Sequence, residues 1–557
     1  MKLNVKGEIV KVYEAIARGL SDLGCTEMFG VLGDGCVYVI DSFRRDYGRY
    51  VPAVHEGSAV LMAQGWARVA GKVGVAAVTH GPGLTNTVTA LVEGAKAGTP
   101  MVLLVGDTPV TDREHAQNVD QRGLVAATGA GFEMLRSPET VAEDLARAFY
   151  RAHDEHRPIV LNMPVEFQWQ EVVYEKPYLR LPETRSVIAS SKDMDDAIGI
   201  IASSRLPVVL AGRGVSDPQA EAAVLRFARR IEAPVATSLR GKGLFNDDPF
   251  HLGISGTVSH EVALDVIGRS DCLIVFGASL NKYTSGERGL TRGKRIVQIN
   301  PVASELGRCT PVTVGLVGDP GLTADAMVEW LDEAEIPGSG ARNDDLLEEL
   351  KNYHENAQKK LVHSTPAGTV DLYEVAFALE EALPKDRVFV TGSGRFMFAF
   401  WSVISVPNPQ SYVDGNGFSS IGIGEATAMG AARAAGDRPT LLVTGDGGFM
   451  LSGLSELATA VAEQLDLVVV VANDGSYGAE HIALTMHDMD PDISLLPSRD
   501  FARIAEAFGC QGLTVTSSAE LQAAMAAIAT RDRKRPLVID VKIDPASVYG
   551  GAAVARP

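Results

Sequence analysis

Two polar residues that each follow a buried strand are the strongest candidates for chemistry in this chain. Asp446 lies in a Gly-Asp-Gly-Gly turn directly after the apolar run 440–444, and Asn473 follows the valine-rich run 467–472. A helical pattern separates the two runs, so both strands are expected to end at the same edge of a parallel sheet. Carboxylate and amide oxygens suit Mg²⁺, and glycine-rich turns present N–H groups to an anion such as a diphosphate.

A second pair of motifs lies near the N-terminus. It consists of His55-Glu56-Gly57 and, after one strand, Thr79-His80-Gly81-Pro82-Gly83, followed by Asn86. Together with the Gly-Asp-Gly and Asn motifs, these segments resemble the acetolactate synthase-like family of thiamine-diphosphate enzymes. The resemblance runs through the whole chain in order.

The resemblance implies roles for particular residues. Glu56 would exchange a proton with the aminopyrimidine ring of the cofactor, and Ile421 would wedge between the two rings and bend the cofactor. Gln117 and His80 would face the reaction centre. The metal would be held by Asp446, Asn473 and the backbone oxygen of Gly475. The other residues implied to contact the cofactor are Gly392, Ser393, Gly394, Ser419, Gly447, Gly448 and Tyr477.

The sequence departs from the family at several of these positions. Acetolactate synthases often carry serine where His80 stands and usually carry histidine where Arg395 stands. Arg395 would supply positive charge to the site or point into solvent, whereas His80 would relay protons or be a core histidine. The Tyr477-Gly478 pair comes one residue later than in the family, which leaves Glu480 and His481 without assigned roles.

Strand and helix patterns alternate in three successive regions. We predict three doubly wound parallel-sheet α/β domains: a pyrimidine-binding domain at 1–175, a central domain at 190–335 and a diphosphate-binding domain at 371–557. Polar connectors at about 174–192 and at 336–370 separate them, and the second contains a predicted helix at 343–361. The sequence alone does not show whether the outer domains are related.

The central region carries one informative mismatch. Flavin-containing relatives have an arginine after the Gly-Ala that ends a strand there, whereas this chain has Ser279. Losing this charged partner for a dinucleotide makes tightly bound FAD unexpected.

Composition restricts the class of protein. The 557 residues include 46% hydrophobic residues and carry a net charge of -19, which argues against a nucleic-acid or anionic-membrane surface. Five scattered cysteines indicate a reducing compartment. No signal peptide and no apolar run of about 20 residues is apparent, so we predict a cytoplasmic protein without membrane contact.

The expected function is cleavage of a 2-oxo acid or related 2-oxo compound that depends on thiamine diphosphate and Mg²⁺. By resemblance, an enamine intermediate would then add to a second carbonyl compound or be protonated to an aldehyde. Alternatives are a 2-oxo acid decarboxylase or a C–C bond lyase or hydrolase acting on a non-pyruvate substrate, a flavin-linked pyruvate oxidase, and a non-catalytic cofactor-binding regulator. The family also implies a homodimer or homotetramer with the active site at the subunit interface.

Overall fold

Parallel β-sheets organise the chain. The structure, a computed structural model, describes residues 8–112, 114–179 and 191–549, so residues 180–190 of the predicted first connector lie outside it. Within those ranges there are three six-stranded parallel sheets with helices packed against them, as the sequence predicts. A small antiparallel pair, β1 with β8, was not predicted.

The first domain contains eight strands and seven helices among the described residues. The strands are β1 (Ile9–Lys11), β2 (Glu27–Gly30), β3 (Arg49–Pro52), β4 (Gly74–Val78), β5 (Met101–Asp107), β6 (Gly131–Met134), β7 (Pro158–Pro164) and β8 (Glu171–Val173). The helices are α1 (Val12–Asp22), α2 (Val37–Asp46), α3 (Glu56–Ala70), α4 (Pro82–Thr85), α5 (Val88–Ala97), α6 (Gln121–Thr128) and α7 (Val141–Asp154).

The central domain and the connector that follows it run from α8 to α12. The strands are β9 (Pro207–Ala211), β10 (Val235–Thr237), β11 (His251–Ile254), β12 (Cys272–Phe276), β13 (Arg295–Asn300) and β14 (Val314–Val317). The helices are α8 (Ser191–Ala202), α9 (Pro218–Arg230), α10 (Glu261–Arg269), α11 (Pro320–Glu333) and α12 (Asp344–Leu361). The predicted connector helix is therefore present, with Asn343 as its N-cap.

The third domain begins at α13. Its strands are β15 (Val388–Thr391), β16 (Tyr412–Asp414), β17 (Thr440–Gly445), β18 (Leu467–Asn473), β19 (Gln511–Val515) and β20 (Leu537–Lys542). Its helices are α13 (Leu372–Ala382), α14 (Met397–Val403), α15 (Gly424–Ala435), α16 (Asp446–Gly448), α17 (Leu454–Ala462), α18 (Gly478–Met486), α19 (Phe501–Ala507) and α20 (Ser518–Thr530).

The first and third sheets have the same strand order. The orders are β3-β2-β4-β5-β7-β6 and β16-β15-β17-β18-β20-β19, so each strand of one sheet has a counterpart in the other. The structure thus supplies the relation between the outer domains that the sequence left open. The central sheet differs, with the order β11-β10-β9-β12-β13-β14.

Helices α3 and α15 join the two outer domains and are counterparts of each other. They cross so closely that a Cβ on Gly65 would overlap the Thr427 carbonyl, and one on Gly430 would overlap the Met62 carbonyl. Glycine therefore lets the two backbones touch. One hydrophobic core runs through both domains, from Ala59–Met62 on α3 to the buried strands of the third sheet.

All five cysteines are free, and four of them are buried. Among the described helices, none combines the length and the apolar character that crossing a membrane requires.

Candidate active site

The third sheet places Asp446 and Asn473 side by side. Strands β17 and β18 pair in register up to Gly445 and Ala472, so the next residue of each strand lies at the same edge. The Gly475 N–H donates to Asn473 Oδ1 over 3.3 Å and also faces the Asp446 carboxylate, where it partly opposes the rise in pKa that burial causes. The two side chains therefore meet at one backbone N–H.

The Asn473 amide is oriented by a residue that sequence reasoning missed. Its Nδ2 donates to Asp540 Oδ1 at 2.9 Å and to the Arg499 carbonyl at 3.2 Å, which turns Oδ1 toward Asp446 and Gly475. Asp540 is fully buried in the middle of the apolar strand β20. A carboxylate inside such a run was the signal that could have identified it.

The donor set at this edge fits a hard divalent cation. Asp446 is 5% exposed, and burial, followed by the charge of Asp474, raises its carboxyl pKa to about 7. A cation beside it would favour the ionised form. The Gly475 carbonyl accepts from the Leu496 N–H at 2.7 Å and keeps a second lone pair for a metal. The three predicted metal ligands thus lie together, and their metal-binding role stays a prediction.

Small residues surround the turn that contains Asp446. A Cβ on Gly392 would come within 3.2 Å of Thr444 Oγ1, and one on Gly448 would come within 3.2 Å of the Gly422 nitrogen. The Ile421 Cβ lies 3.7 Å from the same Gly448 position, so the predicted wedge lies over the Gly-Asp-Gly turn. Ser393 and Gly394 are half-buried, Gly447 is buried, and Ser419 is exposed with a φ of 59°.

Arg395 is buried in an ion pair, so the predicted alternative that it points into solvent is wrong, and its contribution of positive charge to the site stays a prediction. Its Nη2 forms an ion pair with Asp474 Oδ2 at 2.7 Å, and both side chains are less than a tenth exposed. The guanidinium also donates to the carbonyls of Asp544 and Ser547. Arg395 therefore fastens the Gly392–Gly394 turn to the residue that follows Asn473.

The segment that follows Asn473-Asp474-Gly475 borders an open cavity. The Tyr477 ring packs against Gly447, within 3.0 Å of a Cβ built there. Tyr477 and Glu480 then line a cavity of about 440 Å³ whose other walls are mainly apolar: Ala483, Leu484, His487, Met489, Ile493 and Ser494. His481 does not line this cavity, and its Nδ1 lies 2.9 Å from the hydroxyl of Ser494 in the cavity wall.

Glu56 is the first residue of α3, directly after the turn that follows β3. Its side chain is half-buried, and Oε2 accepts a hydrogen bond of 2.9 Å from Asn86 Nδ2. Asn86 ends the short helix α4 of the Gly-Pro-Gly motif. The two N-terminal motifs are thus joined by a direct contact.

His80 lies at the carboxyl end of β4 with Asp34 across from it. The ring is buried, Nε2 has no hydrogen-bond partner among the described residues, and Asp34 Oδ2 lies 3.8 Å away. Burial lowers the His80 pKa, and the charge of Asp34 opposes that shift. Asp34 also accepts from the Thr79 hydroxyl at 2.8 Å. Sequence reasoning did not select Asp34, although it follows strand β2 as His80 follows β4.

His115 and Gln117 lie beside His80, and a further residue, Gln121, holds the turn that follows it. The His115 ring packs edge-on against His80, with ring centres 5.1 Å apart, and Gln117 lies with its backbone against Gly81. The Gly81 N–H, however, donates to the side chain of Gln121, at 3.0 Å. Gln121 is buried and also donates to Asn162 and to the Gly106 carbonyl. Gln121 thus holds the turn after His80 in place.

The strand ends of the central sheet contact each other. Gly212 and Gly214 lie after β9, and a Cβ on either would overlap Gly277 or Ala278 after β12. The Gly214 N–H donates to the Gly277 carbonyl at 3.1 Å. Protein backbone therefore uses the space that these glycines provide. Ser279, two residues further on, receives a hydrogen bond from Asn281.

Comparison with known proteins agrees with this geometry. Three family profiles match in the order of the domains: the N-terminal TPP-binding domain of thiamine pyrophosphate enzymes at residues 10–124, their central domain at 194–327 and their C-terminal TPP-binding domain at 392–541. The chain belongs to the thiamine-pyrophosphate enzymes. Thiamine diphosphate is therefore its cofactor, and its two outer sheets are the cofactor-binding domains.

Curated relatives span nearly the whole chain. A sulfoacetaldehyde acetyltransferase of Castellaniella defragrans is 27% identical, covering 90% of this chain and 88% of its own. A probable acetolactate synthase large subunit of Methanococcus aeolicus is 25% identical, covering 96% and 92%. A probable 2-ketoarginine decarboxylase of Pseudomonas aeruginosa is 28% identical, covering 89% and 88%. Relatives with different reactions thus resemble this thiamine-pyrophosphate enzyme to a similar degree.

Proposed function

We propose that this enzyme uses thiamine diphosphate and Mg²⁺ to cleave a 2-oxo acid, or a related 2-oxo compound, beside its carbonyl group. The adjacent placement of Asp446 and Asn473 beside turns rich in small residues carries the proposal, because it offers oxygen ligands and backbone N–H groups together. Carboligation to a second carbonyl compound, as in the acetolactate synthases, is the first candidate for the step after cleavage.

Each group of residues has a separate task. When bound, thiamine diphosphate supplies a nucleophilic carbon and an electron sink. Asp446, Asn473 and the Gly475 carbonyl would hold the cation, and the turns at 392–394 and 447–448 would accept the diphosphate. Ile421 lies where an apolar side chain would set the shape of the bound cofactor.

Glu56 would hold a proton at its carboxylate. Its Oε2 is oriented by Asn86, which leaves Oε1 to exchange a proton with the aminopyrimidine ring. Because Glu56 and Asp446 lie in different domains, the cofactor must bridge two domains. We propose a homodimer or homotetramer in which these two domains come from different subunits.

His80 and Asp34 are the residues that we propose to face the substrate. A buried imidazole with a lowered pKa is neutral at pH 7, so its free Nε2 can carry a hydrogen bond or a proton to a substrate oxygen. Asp34 stabilises the protonated ring if a proton moves there. This second acid–base group favours decarboxylation with protonation to an aldehyde, or C–C bond cleavage, as the alternative outcome.

A turnover assay separates these outcomes. Apo-protein is reconstituted with thiamine diphosphate and Mg²⁺ and offered a panel of 2-oxo acids and diketones, while CO₂, aldehyde and acyloin are measured. Acyloin or acetolactate supports the carboligase, and aldehyde alone supports the decarboxylase. Cleavage without CO₂ supports the lyase. Failure to bind the cofactor contradicts the proposal.

A further inference from the structure

Two buried glutamates lie at equivalent places in the outer domains. Glu93 is on α5, between β4 and β5 of the first domain, and Glu456 is on α17, between the corresponding strands β17 and β18 of the third domain. Glu93 is 3% exposed and Glu456 is fully buried. Neither has an ion-pair partner among the described residues, so neither is explained as half of a salt bridge.

Glu456 accepts hydrogen bonds from the turn that precedes Glu56. The Val54 N–H donates to Oε1 and Oε2 at 3.1 and 3.2 Å, and the His55 N–H donates to Oε1 at 3.0 Å. The hydroxyl of Thr459, one helical turn later, donates to the Pro52 carbonyl at 3.0 Å. The third domain thus holds the backbone directly before the first residue of α3.

Glu93 does the same for the turn that precedes Ile421. The Gly417 N–H donates to Oε1 at 2.9 Å and the Phe418 N–H donates to Oε2 at 2.5 Å. A Cβ on Gly417 would come within 2.8 Å of Glu93 Oε1, so glycine permits this approach. The first domain thus holds the backbone that leads into the wedge and into α15.

The two contacts are related by the shared strand order of the outer domains. Each carboxylate binds two consecutive N–H groups of the other domain. Glu456 binds the segment that joins β3 to α3, and Glu93 binds the counterpart segment that joins β16 to α15. Those segments carry Glu56 on one side and Ile421 on the other. A buried carboxylate that accepts two N–H bonds fixes a backbone more firmly than a neutral acceptor does.

We propose that Glu93 and Glu456 are reciprocal positioning residues, each of which sets the backbone that carries a catalytic group of the opposite domain. Glu456 positions the turn that leads into Glu56, and Glu93 positions the turn of Ile421. The roles of Glu56 and Ile421 rest on the proposed function, whereas the backbone contacts do not.

The test uses the full chain without cofactor and measures amide hydrogen exchange. Glu456→Gln should speed exchange at residues 54–55 by about tenfold and leave 417–418 unchanged, because the neutral amide oxygen is a weaker acceptor for both N–H groups and the new NH₂ group faces the Val54 N–H in place of Oε2. Glu93→Gln should speed exchange at residues 417–418 and leave residues 54–55 unchanged. Glu133→Gln is the matched control, since Glu133 is a buried glutamate of the first domain that binds Arg147 and Arg151.

The cofactor-bound enzyme provides a second readout. Glu93→Gln should weaken thiamine diphosphate binding about tenfold, because the wedge is displaced, whereas Glu456→Gln should lower kcat and shift its pH profile with binding retained. Glu93→Asp and Glu456→Asp keep the carboxylate but move it away from the N–H groups by the length of one methylene. They should give the same patterns and can replace the glutamine variants if those fail to fold.

Exchange that rises at both turns in both variants, or at neither, overturns the proposal. Unchanged exchange in the presence of altered catalysis overturns it as well. If the exchange pattern holds while no variant and no parent binds cofactor, the proposed function fails and the positioning contacts stand.

Discussion

The three sheets differ most where their strand order reverses, which is where ligands bind in open α/β sheets. In the first sheet, Asp34 and His80 follow the two strands at that point. In the third, the turn at 392–394 and Asp446 follow the equivalent strands. In the central sheet, Gly212 and Gly277 meet backbone to backbone.

The comparison teaches that shared architecture assigns a location and that the residues there assign the chemistry. The first sheet presents an imidazole and a carboxylate, the third presents the residues proposed to hold a cation and a diphosphate, and in the central sheet backbone fills the corresponding space. We therefore expect the purified protein to lack the visible absorbance of a flavin. A stoichiometric flavin spectrum would show that the central crevice opens and would break this contrast.

Replacing Glu56, the proposed proton-exchanging residue of the first domain, should have the largest effect on turnover. Glu56→Gln keeps the shape but cannot exchange the proton, so kcat should fall by about a thousandfold. Steady-state turnover on the substrate found in the panel assay measures this. Glu133→Gln is the control and should retain most activity. Near-normal kcat in the Glu56 variant would contradict the proposed proton exchange at Glu56.

The carboxylate of the third domain should act on binding. Asp446→Asn removes the charged ligand, and the affinity for Mg²⁺ with thiamine diphosphate should fall by about a hundredfold. Calorimetric titration measures the affinity. Asp466→Asn is the control, because Asp466 precedes the opposite end of strand β18 and pairs with Arg531 and Arg533. Equal losses in both variants would mean that Asp446 contributes only to folding.

The packing of α3 against α15, which joins the outer domains, can be disrupted by adding a single methyl group. Gly430→Ala should destabilise the protein by about 3 kcal/mol, because the new Cβ would overlap the Met62 carbonyl on α3. Thermal unfolding measures the change. Gly199→Ala is the control: Gly199 lies in helix α8 with no atom within 4 Å of the added Cβ, so it should stabilise by about 0.5–1 kcal/mol. The same sign in both variants would contradict this packing argument.

Acid should destabilise the central domain through His260. Burial holds the pKa of this histidine at about 4, against 6.5 in the unfolded chain, so the unfolded state binds the proton first as pH falls. Stability is therefore lost as pH drops from 6.5 toward 4, by about 2 kcal/mol at pH 5.

His260→Asn should reduce that pH dependence. Asparagine keeps an acceptor for the Ala263 N–H at the start of α10 but does not titrate in this range. Thermal midpoints at pH 7 and pH 5 measure the difference in stability between these two pH values. The loss of stacking on Tyr353 lowers both midpoints equally, so it leaves that difference unchanged. An unchanged difference would assign the acid sensitivity to other groups, such as His251.

Sequence patterns predicted the buried strands well for a physical reason. Central strands of a parallel sheet are covered on both faces, so β17 and β18 are continuous apolar runs that stand out in the sequence. The edge strand β19 is half-exposed and mixes polar with apolar residues, so no strand was predicted there. The helical pattern between the β17 and β18 runs corresponds to a π-helical turn at Phe449–Gly453 that continues as α17.

The candidate site was predictable only where its residues lie in local motifs. Asp446, Asn473 and Glu56 follow strands or begin helices, and their neighbours in the sequence identify them. Glu456 acts on Val54, 402 positions away, and no local pattern records such a contact. The ion pair between Arg395 and Asp474 was missed for the same reason, since it joins two turns from separate strands.

That ion pair has a consequence for engineering and for the divergence of this enzyme from its relatives. Exchanging Arg395 alone for the histidine of acetolactate synthases would leave Asp474 as an unpaired carboxylate in a closed space. The two positions must therefore change together, and a loop grafted from a relative has to bring both turns. The cavity beside Glu480 has mainly apolar walls, so exchanging a single apolar residue there leaves no buried charge without its partner.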